Sequence, residues 1–179
     1  MRRGRFLVLF VCTGNSCRSP MAEGILRAKL PKHLSSVVLV RSAGTLGIEG
    51  ERATPFAIQA ARENGVDISH HRSSRLTESL VHDADVILAM EPEHVDYLLD
   101  HFPEAAEKVH LLTSFAREQG EAAEEGIEDP IGMGLDTYRR VYEKIEAEIE
   151  RILPELELSI REKLGLALEQ GASRGEPQA

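Results

Sequence analysis

Only two cysteines, no tryptophan and an aromatic share of 4% occur in this chain of 179 residues. Cys12 and Cys17, five positions apart, form neither a disulfide framework nor a zinc-ligand set, and they fit a reducing, cytoplasmic setting with at least one working thiol. Long apolar runs are missing too. Nothing approaches the ~20 residues that cross a bilayer, and the stretch before Cys12 is too short for a signal peptide. Basic charge is scarce: 21 Lys and Arg against 30 Asp and Glu leave a net charge of −9, which argues against nucleic acid and anionic membranes as partners. Neither a Walker pattern nor a dinucleotide fingerprint occurs, so nucleotide binding has no positive support. No metal-ligand motif and no internal repeat is present.

What is there is the composition of a globular domain, with 42% apolar and 28% charged residues. Residues 6–11 form a continuous apolar run rich in β-formers, which reads as a strand buried on both faces. Ser19-Pro20 reads as a helix start with Ser19 as cap, followed by Met21, Ala22, Ile25, Leu26 and Leu30 on one face. Further strands are expected at 37–40, 85–89 and 109–112, with helices at 53–64 and 93–99. This alternation predicts a three-layer, doubly wound α/β fold: a four-stranded parallel sheet with helices on both faces and a ligand at the carboxyl ends of the strands.

Residues 118–129 carry six acids and no base, which predicts an exposed, mobile loop. Helical spacing resumes at Asp136 and is expected to kink or end at Pro154. The expected division is thus a domain over 1–154 and, over 155–179, an amphipathic extension (Leu156, Ile160, Leu164) with a flexible tail from Gly171. The extension either packs on the sheet, pairs with a second copy, or frames the site.

The segment Cys12-Thr13-Gly14-Asn15-Ser16-Cys17-Arg18-Ser19 carries the chemistry. A Cys and an Arg separated by five residues, between a buried strand and a helix, wrap backbone N–H groups around one oxyanion. The helix N-terminus and Arg18 are expected to lower the Cys12 pKa and make it a nucleophile at neutral pH. Arg18 offers a planar fork to two phosphoryl oxygens, and Ser19 can donate its hydroxyl to the Cys12 thiolate.

This segment resembles the signature of the low molecular weight protein tyrosine phosphatase family, and the resemblance runs from Phe6 to about Leu153. Asp129-Pro130 is similar to the family's Asp-Pro, which implies that Asp129 protonates the leaving group and then activates water against a phosphocysteine, with no metal or cofactor. Glu124, Glu125 and Glu128 lie beside it and are expected to help keep it protonated only weakly. Arg41-Ser42-Ala43-Gly44 resembles the segment in which a serine and a histidine support the loop asparagine, which assigns those supporting roles to Ser42 and His70 toward Asn15. His71, His33, His82, His94, His101 and His110 are read as solvated or locally hydrogen-bonded.

The resemblance implies a phosphorylated protein substrate. Family members acting on phosphotyrosine carry a bulky aliphatic residue at Ser16 and aromatic residues after Asp-Pro, where this chain has Ile131 and Gly132. The loop looks closer to bacterial protein arginine phosphatases, which carry Thr at Ser16 and Phe at Ile131. Phosphoarginine is therefore favoured, with Ser16 and Ile131 as selectivity residues and phosphotyrosine as the alternative. A second alternative, arsenate reduction, would need an external thiol, because no cysteine follows Cys17. Cys17 reads equally as a small packing residue and as the partner of Cys12 in a protective disulfide that the family allows.

Overall fold

The computed structural model describes residues 4–122 and 125–166. In β1 (Phe6–Cys12) every residue is buried, and alternate side chains enter different cores: Phe6, Val8, Phe10 and Cys12 one, Leu7, Leu9 and Val11 the other. A strand that feeds two cores needs apolar residues without interruption. β2 (Val38–Gly44) and β3 (Val86–Ala89) flank β1, and β4 (Val109–Leu111) pairs with β3. All pairs are parallel, in the order β2-β1-β3-β4.

α1 (Arg18–Lys29), α2 (Pro55–Glu63) and α5 (Leu135–Leu164) cover one face, contributing Met21, Ile25, Ala57, Ala60, Ile145 and Ile149 to the first core. α3 (Glu78–Asp83) and α4 (Pro92–His101) cover the other, with Val81 and Leu98. The expected three-layer α/β arrangement is the one observed. The chain leaves β1 toward β2 on one side, while β3 lies on the other, so the carboxyl end of β1 opens at the point where the strand order reverses.

Several boundaries differ from expectation. β2 runs on past Val40 because its register with β1 continues to the pair Cys12 and Gly44. α3 and a 3₁₀ helix over Pro103–Lys108 lie where no element was expected, each too short to show an apolar period and each with one buried residue, Val81 and Ala105. α5 continues through Pro154, so the expected boundary at 154 falls inside a helix. The missing N–H of Pro154 is outweighed by packing: Leu156 and Ile160 continue the face of Ile145, Ile149 and Ile152, and all five are fully buried in one core. The extension therefore packs within the chain as far as Leu164, and the tail from Gly171 lies outside the described residues. Glu124 also lies outside them. The last part of the acidic stretch is anchored: Ile127 is fully buried and its N–H donates to the Met90 carbonyl at 2.7 Å. No described helix is long and apolar enough to cross a membrane.

Candidate active site

The loop between β1 and α1 is tied outward by its carbonyls. Those of Cys12 and Thr13 accept from the N–H groups of Thr45 and Leu46, each at 2.9 Å, and that of Ser16 accepts from Thr54 N–H at 2.9 Å. This aims the amide side of the loop inward, and the N–H groups of Asn15 and Ser19 act directly on the Cys12 sulfur. Gly44 makes the close approach possible, since a Cβ there would stand 2.4 Å from the Thr13 carbonyl oxygen. Asn15 holds the loop's bend with φ of +54°, a conformation Asn tolerates better than most residues.

Asn15 is fully buried, and every polar group of its side chain is used. Its Nδ2 donates to Ser19 Oγ at 2.8 Å and to Ser42 Oγ at 2.9 Å, while its Oδ1 accepts from Ser74 N–H at 2.8 Å. Ser19 Oγ accepts from Asn15 and lies 2.9 Å from Cys12 Sγ, so that when Cys12 is a thiolate, with no hydrogen of its own, the Ser19 hydroxyl donates to it. Ser42 in turn donates to Glu23 Oε2. The supporting histidine is His71, not His70: His71 Nε2 donates to the Asn15 carbonyl at 2.8 Å, while His70 is exposed. Two adjacent histidines differ by one register position that the sequence alone did not resolve. Ser19 is likewise no helix cap, since α1 starts at Arg18 with Cys17 as a cap that makes no side-chain bond.

Arg18 is 2% exposed. Its NH1 pairs with Glu91 and donates to the Ile127 carbonyl at 2.8 Å, and its NH2 lies 3.4 Å from Asp129 Oδ2. The sequence reading missed Glu91. It directly follows Met90 at the carboxyl end of β3, the strand beside β1, which is where the reversal of strand order would have directed attention. His94, expected to be solvated or locally bonded, is buried: its Nδ1 accepts from Glu91 N–H at 3.1 Å, so its Nε2 carries the proton and donates to Thr13 Oγ1 at 2.8 Å. Burial, and then the nearby Arg18 charge, push the His94 pKa down to about 4.

Burial is also the largest influence on Cys12 and pushes its thiol up. The Ser19 hydrogen bond, the Arg18 charge and the N–H groups of Ser19 and Asn15 act in the opposite sense. The expectation of a lowered pKa counted the cradle and left out the loss of water around a sulfur that is almost wholly enclosed. Cys17 is buried among hydroxyls, 3.4 Å from Thr54 Oγ1 and 3.5 Å from Tyr138 OH, and both thiols are free.

Above the sulfur lies a cavity of about 210 Å³, with Cys12, Gly14, Ser16, Arg18, Asp129 and Ile131 in its wall. This is below the ~300–1,000 Å³ of a pocket that encloses a small molecule, so it suits one phosphoryl group with the rest of the substrate outside. Asp129 sits on the rim, 40% exposed, its Oδ1 accepting from Ile131 N–H at 3.1 Å. Ile131 is 57% exposed. Among the described residues, no group of three or more His, Cys, Asp or Glu side chains is placed to hold a metal.

A sulfur lodged at the base of an oxyanion cradle, beside a locked guanidinium and below a carboxyl group, is arranged for attack on a bound phosphoryl group, which is the work of a cysteine-dependent phosphatase. Comparison with known proteins narrows the class: residues 7–163 match the low molecular weight phosphotyrosine protein phosphatase family, and the chain belongs to that family. It is 37% identical over 153 residues to a protein-arginine-phosphatase of Geobacillus stearothermophilus, a match covering 85% of this chain and 97% of that one. The solved structure of the YwlE arginine phosphatase from Geobacillus stearothermophilus superposes with a TM-score of 0.77 at 36% identity, covering 92% of this chain and 99% of that chain. A low molecular weight protein tyrosine phosphatase from T. tengcongensis superposes with a TM-score of 0.75 at 39% identity, covering 84% and 99%. Family membership implies a phosphorylated protein substrate.

Proposed function

We propose that this chain is a protein arginine phosphatase that uses Cys12 as nucleophile, Arg18 as phosphate ligand and Asp129 as general acid and base. The observation that carries the substrate reading is the wall of the cavity. It presents the Ser16 hydroxyl and Ile131 where a phosphotyrosine ring would need an aromatic partner, and it sets the Asp129 carboxyl beside the entrance. An aromatic wall would add about 0.5–1.5 kcal/mol beyond area burial to the binding of a ring. A guanidinium instead gains from acceptor oxygens, which a hydroxyl and a carboxyl group both supply. The relatives named as arginine phosphatases point the same way.

In the first step Cys12 Sγ, as thiolate, attacks phosphorus in line while the P–N bond to the substrate guanidine breaks, and Asp129 gives its proton to the departing nitrogen. Ser19 and Arg18 stabilise the thiolate before attack. Arg18 and the loop N–H groups hold the equatorial oxygens. In the second step Asp129 takes a proton from water, the oxygen attacks phosphorus, and the S–P bond breaks to release inorganic phosphate and the Cys12 thiolate. Every group needed comes from the chain, without metal or cofactor. The two free thiols support a reducing, cytoplasmic location, and the charge balance supports neither nucleic acid nor membrane as partner. Self-association through the end of α5 has less support, because Leu156 and Ile160 are used within the chain.

The test is turnover of a phosphoarginine peptide, a phosphotyrosine peptide and a small aryl phosphate, with chelator present and Cys12→Ser as control. Faster phosphoarginine release is expected, and Ser16→Ile is expected to reverse the preference. A preference for phosphotyrosine in the unaltered protein overturns the substrate reading, and the absence of Cys12-dependent release from all three overturns the phosphatase reading.

A further inference from the structure

A second cavity, of about 550 Å³, lies behind the phosphate loop, where α1, the end of β2 and residues 65–74 meet. It shares no wall residue with the cavity above Cys12. In a chain of net charge −9 its wall carries three arginines, Arg27, Arg41 and Arg72, against two acids, Glu23 and Asp67. Arg27 is engaged by Glu23 at 2.6 Å and by the Val40 carbonyl at 2.8 Å. Arg41 and Arg72 reach only carbonyl oxygens, of Val40 at 3.4 Å and His71 at 2.8 Å, and neither forms an ion pair among the described residues. Two guanidinium forks on one cavity wall without carboxylate partners suit an oxyanion. Asp67, also in the wall, offers a carboxylate to ligand hydroxyls. The volume far exceeds that of one phosphate and falls in the range of small-molecule sites.

We propose that this cavity binds a small phosphorylated polyol or sugar, its phosphate on Arg41 and Arg72, and that the bound ligand modulates the phosphatase reaction through Asn15. The connection is direct. Ser42 and His71 form part of the cavity wall, and both hold Asn15, at 2.9 and 2.8 Å. Asn15 holds Ser19 at 2.8 Å, and Ser19 holds Cys12 at 2.9 Å. A ligand that draws on Ser42 or His71 changes how firmly the thiolate is stabilised, which alters kcat. A ligand that merely competes for the phosphate loop raises KM and leaves kcat alone.

The proposal rests on the phosphatase reading for its kinetic part, so two readouts are used. Ribose 5-phosphate and inorganic phosphate are titrated into the Cys12→Ser protein by calorimetry, and into wild-type turnover of an aryl phosphate. The expected result is a binding heat with ribose 5-phosphate, and a change in kcat of about fivefold, the lower end of ordinary coupling between sites. The change in kcat, and the part of the heat that exceeds binding at the phosphate loop, are lost in Arg41→Ala/Arg72→Ala, whose basal turnover stays unchanged. If inorganic phosphate reproduces the effect through the same arginines, the site stands and its ligand is the reaction product. An effect on KM alone, or an identical response in the double variant, overturns the proposal. If the protein turns over no phosphorylated probe, the phosphatase reading fails while the arginine-dependent heat still decides the cavity.

Discussion

At the scale of single residues, the site works by giving each polar group one direction. Asn15 spends both amide hydrogens on Ser19 and Ser42, which leaves the Ser19 hydrogen available to the Cys12 thiolate. A hydrogen bond to a charged acceptor contributes about 1.5–3 kcal/mol, so Ser19→Ala is expected to lower kcat by roughly 10- to 150-fold. It is also expected to shift thiolate formation to higher pH, read from the pH dependence of Cys12 alkylation. An unchanged alkylation profile would detach Ser19 from the thiolate. His94 makes a different prediction. Its pKa falls from 6.5 to about 4 on folding, so between those values the unfolded chain binds the proton and the folded chain does not. Its contribution is complete above pH 6.5 and is lost as pH falls toward 4, a loss of about 3 kcal/mol. Urea titrations at pH 7 and pH 4.5 should show a smaller drop for His94→Gln than for the unaltered protein, because an amide can accept from Glu91 and donate to Thr13 without titrating. That Cys12 and Arg18 share one loop was legible because their spacing has a chemical reason, whereas Asp129, which the fold brings to 3.4 Å from Arg18, was singled out only by resemblance to the family's Asp-Pro. Glu91, His94 and the choice of His71 over His70 were not legible, because they reach the loop from positions far along the chain that only the fold brings near.

At the scale of elements, legibility followed length and periodicity. β1 could be read from its unbroken apolar run, and α1 and most of α5 from their spacing. α3, with one buried residue, offered no period to read, and the strand order could not be inferred from a list of strands. Pro154 misled for a physical reason: a local rule about one missing N–H was set against the burial of two large side chains two and six residues later. The packing can be tested directly. Leu156→Ala and Ile160→Ala should each destabilise the domain by about 2–5 kcal/mol, as expected for large-to-small changes in a filled core. The same change at exposed Leu158 should cost under about 0.5 kcal/mol. Equal, small effects at all three positions in chemical denaturation would mean that the end of α5 is a free appendage.

At the scale of the whole molecule, the charge balance opposes the substrate. A chain of net charge −9 repels an anionic phosphopeptide at long range, while Arg18, in its proposed role as phosphate ligand, would attract the phosphoryl group only within the cavity. The repulsion extends about 30 Å at 0.01 M salt and shrinks to about 8 Å near 0.15 M, whereas the buried contacts with Arg18 are screened far less. Raising chloride from the lower to the higher concentration should therefore increase kcat/KM for a phosphopeptide flanked by acidic residues. For one flanked by lysines, drawn toward the acidic surface, kcat/KM should fall. Since kcat follows steps after binding, it should stay nearly constant in both series. Two phosphopeptides that differ only in flanking charge, assayed across the salt series, separate encounter from chemistry. Parallel slopes for the two would mean that substrate meets a surface whose local field is unlike the net charge, whereas opposite slopes would assign discrimination among protein substrates to the acidic surface outside the cavity.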